Sequence, residues 1–465
     1  MFRNSIRKAM QASLLLACAV SFGFSQSTSA PYQEPNRPAF HFTAKTGWNN
    51  DANGPIFWNG QYHLFFQAVP YRLQGDGALM EWGHAVSKDL VHWSQLSSAL
   101  VPDKIGAVWS GTSIIDRNNV AGFGKNAILV FYTAFNPETH KQVQCIAYST
   151  DNGATFTRYS GNPVLDTGAE AGSSDTRDPK VFWYAPAQHW VLALFEKDGM
   201  SIFNSTDLKH WTRKSHIAGL FECPDLFKLP VDGNEQNKKW VLHGGSSSYF
   251  IGSFDGEKFT PETPLLQYAE GKNTHGDDVL YAAESFENMP HNRRVQMAWG
   301  RIEDKGMPYN QMILFPTEFR IVSTAEGPRL RATPVPEIRL LHGQRHAWKQ
   351  LTSDTANQQF QSFANEPLHV TFAAQPKDGK LEITYGNQSL ATLDSKDAPS
   401  GPAKVEILID KTVAEIFVNG GQRYILADLT NETGSRAIQL KAENGPVTLT
   451  DLQVYEMKSM WSGQP

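Results

Sequence analysis

Short runs in which apolar and polar residues alternate fill most of the chain between residue 48 and about residue 330. Typical runs are residues 62–67 (YHLFFQ), 128–132 (ILVFY) and 190–194 (WVLAL). Glycine, asparagine, aspartate and proline separate these runs at short intervals, and a sustained 3.6-residue apolar period is almost absent. Alternation interrupted by turn residues is typical of antiparallel sheet. The pattern therefore predicts an all-β domain.

One unit of this pattern recurs along the chain: a strand-like run, a turn that contains aspartate, and then an aromatic residue. The copies end at Trp93, Phe156, Trp211 and, more loosely, Phe259, so they are 63, 55 and 48 residues apart. A period of about 50 residues suits roughly four strands per unit, which is the size of a propeller blade. One more unit around residues 295–321 would complete a five-bladed β-propeller, and the irregular spacing disfavours a solenoid.

The pattern of apolar and polar residues changes after residue 321. Residues 327–336 are rich in proline and read as a linker, and clean alternation then returns at residues 369–372, 381–385, 405–410 and 413–418. Asn419-Gly420 is a strong hairpin turn. These signals predict a β-sandwich of about 120 residues. We therefore expect residues 31–335 to form the propeller and residues 336–465 to form the sandwich.

The first thirty residues have the organisation of an export signal. Arg3, Arg7 and Lys8 form a basic start, residues 9–24 are mostly apolar, and small residues at 28–30 offer a cleavage site. The apolar run is too short for a membrane span. We expect residues 1–30 to be a signal peptide and the protein to be secreted, extracellular or periplasmic. A weak likeness to a lipoprotein box leaves lipid anchoring through Cys18 as an alternative.

Composition narrows the classes of partner. The net charge is -5 and the pI about 6.3, so the overall charge does not favour binding to nucleic acid or to an anionic membrane. Without the leader only Cys145 and Cys223 remain, so a disulfide framework and a zinc constellation are both excluded, and we expect Cys223 to be free. Aromatic residues make up 11% of the chain, enough for an all-β core or a sugar-stacking surface.

Three acidic residues stand in matching contexts. Asp51, Asp178 and Glu222 each sit at the entrance to a short aromatic, strand-like run. One acid beside proline or glycine is ordinary turn chemistry, but three in one chain indicate a site. The innermost strands of a propeller line its central channel, so acids at equivalent strand starts would converge on one pocket. Two carboxyl groups about 5 Å apart suit double-displacement glycoside cleavage.

The neighbours of the acids predict different protonation states. Glu222 lies between apolar residues, which favours the protonated form that a general acid needs. Asp51 lies among asparagines, which suits an ionised nucleophile. Asp178 follows Arg177, so we expect it to stay charged and to accept hydrogen bonds from sugar hydroxyls.

Taken together, the motifs resemble those of glycoside hydrolase family 32, the β-fructofuranosidases, which include invertases, inulinases, levanases and related fructosyltransferases. The resemblance rests on residues 48–54 (WNNDANG), 177–179 (RDP) and 222–223 (EC), in this order and spacing. It covers nearly the whole mature chain, with further matches at residues 64–67, 82–85, 109–111 and 409–419.

The resemblance implies a five-bladed propeller with an appended β-sandwich and retaining hydrolysis of terminal fructofuranosides. It makes Asp51 the nucleophile, Glu222 the acid/base and Asp178 the transition-state stabiliser. The residues it implies for substrate binding are Asn50, Gln67, Trp82, Trp109, Ser110, Arg177, Tyr281 and Trp299. It implies no metal and no organic cofactor, because the mechanism needs only carboxyl groups.

The leading hypothesis is an exported, exo-acting fructan β-fructosidase that releases fructose from levan or inulin and also from sucrose. Residues 249–256 and 278–284 resemble the fructanase branch of the family more than the sucrose-restricted one. A sucrose-preferring invertase and a fructosyltransferase of the same family stay open as alternatives. A non-catalytic sugar-binding propeller is disfavoured by the intact acids. An inverting propeller enzyme acting on arabinose polymers would hold its carboxyls farther apart, at about 6.5–9.5 Å.

Overall fold

A computed structural model describes residues 32–376, 379–430 and 434–462. The expected signal peptide at residues 1–30, and Cys18 with it, lie outside the described residues. Across the described ranges, no helix combines the length and the apolar character needed to cross a membrane.

The first three blades are separate antiparallel sheets of consecutive strands. Blade one contains β1 (Gly47–Trp58), β2 (Gln61–Val69), β3 (Glu81–Ser87) and β4 (Trp93–Leu100). Blade two contains β5 (Ala107–Asp116), β6 (Ala127–Asn136), β7 (Lys141–Ser149) and β8 (Thr157–Arg158). After helix α1 (Gly168–Ala171), blade three contains β9 (Thr176–Tyr184), β10 (His189–Glu196), β11 (Gly199–Ser205) and β12 (Thr212–Ala218), with a 3-10 turn at Ala185–Ala187.

Blades four and five share one sheet because β13 and β22 are joined by a parallel bridge between Val231 and Ile321. Blade four contains β13 (Asp225–Val231), β14 (Asn234–His243), β15 (Ser248–Phe254), β16 (Phe259–Pro261) and β17 (Leu266–Gln267). Blade five contains β18 (Leu280–Ser285), a 3-10 turn at Pro290–Asn292, β19 (Val295–Gly300), the short β21 (Met312–Ile313), then β22 (Thr317–Thr324) and β23 (Gly327–Pro334). The short β20 (Tyr309–Asn310), between β19 and β21 in the chain, belongs to the sheet of blade one.

Blade five lies directly against blade one. Glu287 donates its backbone N–H to Pro55 at 2.9 Å and accepts from Phe57 at 3.0 Å. In addition, β20 pairs in parallel with β1, with Gly47 opposite Tyr309. The first and last blades are therefore joined by backbone hydrogen bonds, and the predicted five-bladed propeller is confirmed.

The repeat seen in the sequence marks the entry to the outermost strand of a blade. Its four aromatic residues open that strand or directly precede it, and these are Trp93, Phe156, Trp211 and Phe259. The aspartate of each turn accepts nearby backbone N–H groups; Asp89 accepts from Val91 and His92, and Asp207 from Lys209 and His210. Side chains of this kind replace missing ladder bonds at a turn. Blade five lacks this turn and begins at Leu280, earlier than the predicted residue 295.

The C-terminal part forms two facing sheets around a separate apolar core. The six-stranded sheet has the order β24-β32-β25-β28-β29-β30 and the three-stranded sheet the order β27-β26-β31. Their bounds are β24 (His342–Thr352), β25 (Leu368–Ala374), β26 (Leu381–Tyr385), β27 (Gln388–Leu393), β28 (Ala403–Asp410), β29 (Val413–Val418), β30 (Arg423–Asp428), β31 (Ile438–Ala442) and β32 (Thr448–Met457). Helix α2 (Ser353–Phe360) and 3-10 turns at Pro336–Leu341 and Gln361–Phe363 complete this region, which is the predicted sandwich.

A buried ion cluster joins the N-terminal segment to the sandwich. The ring of His41 contacts Asp410 through Nδ1 at 3.0 Å and Glu415 through Nε2 at 2.8 Å, and all three side chains are fully buried. Asp410 also accepts the backbone N–H groups of residues 39–41. Burial alone would lower the pKa of His41, but hydrogen bonds to both carboxylates raise it to about 9. The cluster therefore holds a charged imidazolium between the two parts of the chain.

Replacing His41 by glutamine should destabilise the protein and remove one source of its pH dependence. Removing one partner of a buried ion cluster costs about 3–5 kcal/mol, because the carboxylates lose their counter-charge. Since the pKa of His41 rises from 6.5 to about 9 on folding, its stabilisation is complete below pH 6.5 and is lost as the pH rises through 9. Denaturation curves at several pH values between 6 and 9.5 measure both effects.

The matched control is His210→Gln, because the side chain of His210 is 88% exposed. This variant should keep the stability and the pH slope of the wild type. An equal slope in wild type and His41→Gln would contradict the assignment of a charged His41.

Candidate active site

The starts of the inner strands surround one pocket of about 220 Å³. Every residue predicted for the site lines this pocket except Trp82. The lining residues are Asn50, Asp51, Gln67, Gly77, Met80, Trp109, Ser110, Arg177, Asp178, Glu222, Tyr281 and Trp299. All five blades or their connecting loops contribute, so positions that are far apart in the chain meet at one end of the channel.

The three acids meet around the thiol of Cys223. Its Sγ lies 3.8 Å from Asp51 Oδ2 and 3.6 Å from Asp178 Oδ2, and its backbone N–H donates to the same Asp178 oxygen at 3.1 Å. Glu222 is the preceding residue. Cys223 is free, as expected from the sequence, and burial followed by the charge of the neighbouring carboxyls raises the pKa of its thiol well above the usual range. The thiol is therefore a neutral packing group between carboxyls.

Irregular backbone places the acids at the strand starts. The pairing of β1 with β2 shifts register between Asn49 and Ala52, across Asp51, and again after Asn53; the pairing of β9 with β10 shifts across Asp178. Asp178, Glu222 and Cys223 have φ values of 65°, 50° and 42°. Such left-handed conformations cost about 1–3 kcal/mol each for residues other than glycine and collect at functional sites. The surrounding sheets hold these residues in conformations that local propensity disfavours.

A closed ring of hydrogen bonds orients Asp51. Asn50 Nδ2 donates to Asp51 Oδ1 at 2.9 Å and to Gln67 Oε1 at 3.2 Å. Gln67 Nε2 donates to Ser110, and Ser110 Oγ donates to Asp51 Oδ2 at 2.5 Å. Burial raises the pKa of Asp51, the hydrogen bond from Ser110 opposes that rise, and the charge of Glu222 adds to it. The ring thus favours the ionised carboxylate against its burial and fixes both of its oxygens.

Glu222 is held by a cation and a phenol rather than by the apolar neighbours expected from the sequence. Arg177 donates to Oε1 through Nη2 at 2.6 Å and through Nε at 3.2 Å, and the Tyr281 hydroxyl donates to Oε2 at 2.5 Å. Phe221, which precedes it, is 54% exposed. Adjacent positions along the chain point in different directions at this turn, so sequence neighbours are a poor guide to its surroundings.

The expected pairing of Arg177 with Asp178 is weak. The two side chains are 3.9 Å apart, whereas Arg177 lies 2.7 Å from Asp175 and 2.6 Å from Glu222. Burial raises the pKa of Asp178 to about 7; Arg177 opposes the rise, and the charges of Glu222 and Asp51 add to it. Arg177 therefore does not hold the pKa of Asp178 in its usual range, contrary to the expectation from the sequence.

Aromatic side chains form the rim of the pocket. Trp109 stacks on Phe135 with ring centroids 4.2 Å apart, and Trp299 meets Tyr281 edge to face at 6.1 Å. Trp82 is fully buried, and its indole N–H donates to the backbone oxygen of Trp109 at 2.9 Å. Trp82 is therefore placed to support Trp109 rather than to touch a ligand.

Sequence reasoning missed several residues that shape the site. Gly77 and Met80 line the pocket from the loop between β2 and β3. Arg301 lies over the Tyr281 ring with its guanidinium carbon 3.6 Å from the ring centroid. Asp175 is the second partner of Arg177. The only available signal was position, since Arg301 and Asp175 each lie two residues from a predicted site residue.

A buried ionic cluster fills the channel beneath the pocket. Lys180 Nζ lies 3.3 Å from Asp225, 3.3 Å from Glu284 and 3.2 Å from Glu287. Glu284 Oε2 also accepts the backbone N–H of Gly54 at 2.7 Å, three residues after Asp51. Burial raises the pKa of Glu284 to about 7 although Lys180 opposes the rise. This cluster closes the channel and ties β1 to blades three, four and five.

Comparisons with known proteins agree with this architecture. The exo-inulinase from Aspergillus awamori superimposes with a TM-score of 0.80 at 24% identity, covering 93% of this chain and all of that one. The fructan 1-exohydrolase IIa from Cichorium intybus gives a TM-score of 0.75 at 22% identity, covering 92% and 98%. At these identities the likeness establishes the propeller-and-sandwich fold.

Sequence comparison extends from the fold to the family. A levanase from Bacillus subtilis is 34% identical over all of this chain and 76% of its own length, and an extracellular exo-inulinase from Aspergillus awamori is 26% identical over 98% and 99%. The model of the glycosyl hydrolases family 32 N-terminal domain matches residues 41–334, and that of the family 32 C-terminal domain matches residues 345–456. Because the two models together match most of the chain, the protein belongs to glycosyl hydrolase family 32.

Proposed function

We propose that the protein is a retaining, exo-acting fructan β-fructosidase that releases terminal fructose from levan or inulin and also cleaves sucrose. The observation that carries the proposal is the convergence of Asp51, Asp178 and Glu222 on one small pocket, with a hydrogen-bond ring on the first and a cation on the last. Two relatives of this chain are named levanase and extracellular exo-inulinase.

In the first step Asp51 acts as the nucleophile. Its carboxylate oxygen attacks the anomeric carbon of the terminal fructosyl unit while the glycosidic C–O bond breaks. Glu222 gives its proton to the departing oxygen, so the leaving sugar departs neutral. Asp178 accepts hydrogen bonds from ring hydroxyls that strengthen as positive charge develops on the sugar.

In the second step Glu222 acts as a base. It takes a proton from water, whose oxygen attacks the anomeric carbon and displaces Asp51, so the two inversions give net retention. The acid/base must reach both the leaving group and water. The side chain of Glu222 is 22% exposed and that of Asp178 is 7% exposed, which supports this division of roles.

The shape of the pocket supports attack at a chain end. Its floor is closed by the Lys180 cluster, and its volume of about 220 Å³ suits a terminal sugar unit rather than an internal stretch of polymer. Stacked Trp109 and the Trp299–Tyr281 pair stand at the rim, where the next sugar unit would lie. We also propose export of the protein, supported by the leader-like residues 1–30 and by a relative named extracellular.

A sugar-release assay on levan, inulin and sucrose tests the activity. We expect free fructose to be the first product from all three, without fructo-oligosaccharides of intermediate length. Proton NMR of the first turnovers should show the β-anomer, because retention preserves the configuration of the substrate. No fructose from any of the three substrates would refute the proposal, and oligosaccharides as first products would refute exo action.

Replacing the proposed nucleophile or acid/base should reduce turnover without loss of the fold. Asp51→Asn removes the attacking oxygen charge and should abolish measurable activity. Glu222→Gln removes the transferable proton and should lower kcat by about 10²–10⁴-fold. Steady-state rates on sucrose measure both effects, with thermal denaturation as the check on folding. Cys145→Ser, in the buried core of blade two, serves as a control that should keep kcat. Wild-type rates in either variant would show that its role is misassigned.

Replacing Asp178 by asparagine should stabilise the protein at alkaline pH while removing activity. The pKa of this carboxyl rises from 3.8 to about 7 on folding, so wild-type stability falls as the pH rises from about 4 through 7. The amide mimics the protonated acid and avoids that loss. The gain in the free energy of unfolding should be small at pH 4 and at most about 4 kcal/mol at pH 8. It is smaller than this limit to the extent that the repulsion is shared among the three carboxyl groups, because their titrations are coupled.

Urea denaturation at pH 4, 6 and 8 measures this gain. Asp175→Asn is the control, because it removes a half-exposed carboxylate from the same arginine and should not stabilise the protein. A gain for Asp178→Asn that is equal at all three pH values would count against the raised pKa.

A further inference from the structure

A second cavity lies at the other ends of the inner strands. Its volume is about 380 Å³, larger than that of the catalytic pocket. Four blades contribute to it. Blades two, three and five do so through residues at or just after the end of their first strand and at or near the start of the next strand, and blade four through residues 226–228 of β13 and Trp240 of β14. The side chains on which its chemistry depends are Arg117, Trp183, Trp190, Lys228, Trp240 and Asn288.

This cavity is separate from the catalytic pocket. Asp178 and Trp183 lie on the same strand, β9, and are five residues apart, which corresponds to roughly 17 Å of extended chain. Lys180 stands between them, 1% exposed and surrounded by carboxylates. The two cavities therefore open on opposite faces of the propeller, with a filled channel between them.

Tryptophan gives the cavity an aromatic wall. Trp183 is 45% exposed, an unusual position for so large an apolar ring. It meets Trp190 edge to face at 5.2 Å. Trp190 is 8% exposed and its indole N–H has no hydrogen-bond partner within the described structure. Trp240 adds a third, half-buried ring. The Trp190 N–H is itself buried, so the accessible part of the wall is the half-exposed ring of Trp183 together with Trp240. Such open aromatic faces suit a ligand with apolar faces of its own.

Polar donors surround the aromatic wall. Arg117 is exposed; it donates through Nη2 to the Asn288 side chain at 2.6 Å, and its guanidinium carbon lies 5.5 Å from the centre of the Trp58 ring. Lys228 is exposed and lies with Nζ 5.9 Å from the centre of the Trp240 ring. Ring faces flanked by several N–H donors match a chain of sugars, whose C–H faces stack on aromatics while their hydroxyls accept hydrogen bonds.

We propose that this cavity, which we name the distal cavity, is a second binding site for a fructan chain. The inference rests on the proposed function only for the identity of the sugar. Because the two sites face opposite directions, a short oligosaccharide occupies one or the other, whereas a long or branched polymer engages both. Binding at the distal cavity then raises the local concentration of chain ends at the catalytic pocket. The distal cavity should therefore increase the enzyme's apparent affinity for polymer and leave its affinity for sucrose unchanged.

Kinetics of Trp183→Ala on levan and on sucrose test the proposal. We expect KM for levan to rise about three- to tenfold, because one stacking contact is lost. The kcat on levan, and both kcat and KM on sucrose, should stay unchanged. Trp183→Phe should restore most of the affinity because it keeps an aromatic face. Val120→Ala, an exposed apolar residue outside the cavity, is the matched control and should leave every constant unchanged.

Binding measurements separate this proposal from the proposed function. Levan affinity is measured by calorimetry on Asp51→Asn, which should not turn over, with and without Trp183→Ala or Lys228→Ala. Weaker levan binding in both double variants supports the distal cavity even if the wild type releases no fructose. Equal affinity in all three proteins, an equal loss on sucrose and levan, or binding of dextran sulfate in place of levan would each overturn it.

Discussion

Competition among carboxyl groups for one guanidinium governs the chemistry of the pocket. Arg177 gives its short contacts to Glu222 and Asp175 and leaves Asp178 at 3.9 Å. Asp178 accepts instead from the backbone N–H and the thiol of Cys223, and burial and its acidic neighbours raise its pKa to about 7. Part of the folding free energy is thus stored as repulsion in the site. A cationic sugar transition state would relieve that repulsion, which is a direct route to catalysis.

The scaffold must be rigid to hold such a site. Register shifts occur beside the site on β1, β5 and β9. Asp178 and the adjacent residues Glu222 and Cys223 have positive φ. These irregular segments are short, and each continues into a strand buried between neighbouring blades. The Lys180 cluster closes the channel below them and fixes Gly54 through Glu284. The rigid strands below the pocket fix the positions of the acidic side chains, and the irregular backbone at its level turns those side chains toward the pocket.

Charge burial recurs at the junction of the two parts of the chain. His41 sits between Asp410 and Glu415, and Glu415 also accepts the backbone N–H of Phe315 and the hydroxyl of Tyr424. Such a cluster tolerates little displacement, because each carboxylate has specific partners. It ties the sandwich to the segment that precedes β1. Further contacts join the sandwich to segments beside the pocket: Thr412 donates to Asp304 at 3.0 Å, and Asp428 accepts the backbone N–H of Thr274 at 3.1 Å.

Sequence alone determined the all-β class, the propeller with its appended sandwich, and the acids at the strand starts. Alternation and aspartate turns report local backbone chemistry, which needs no tertiary context. All but one of the expected site residues line the pocket, and the exception, Trp82, is buried beneath Trp109. The resemblance to family 32 carried this prediction, because its motifs mark positions that meet only after folding.

Tertiary structure alone decided which charges pair. Arg177 turned to Glu222 instead of its sequence neighbour, Tyr281 joined it from blade five, and Asp178 was left with a raised pKa. The beginning of blade five and the distal cavity were equally invisible in the sequence, because they arise where different blades come together. Propensity and alternation depend on residues a few positions apart. Ion pairs, burial and cavities depend on distances through space between segments that the sequence separates by tens or hundreds of residues.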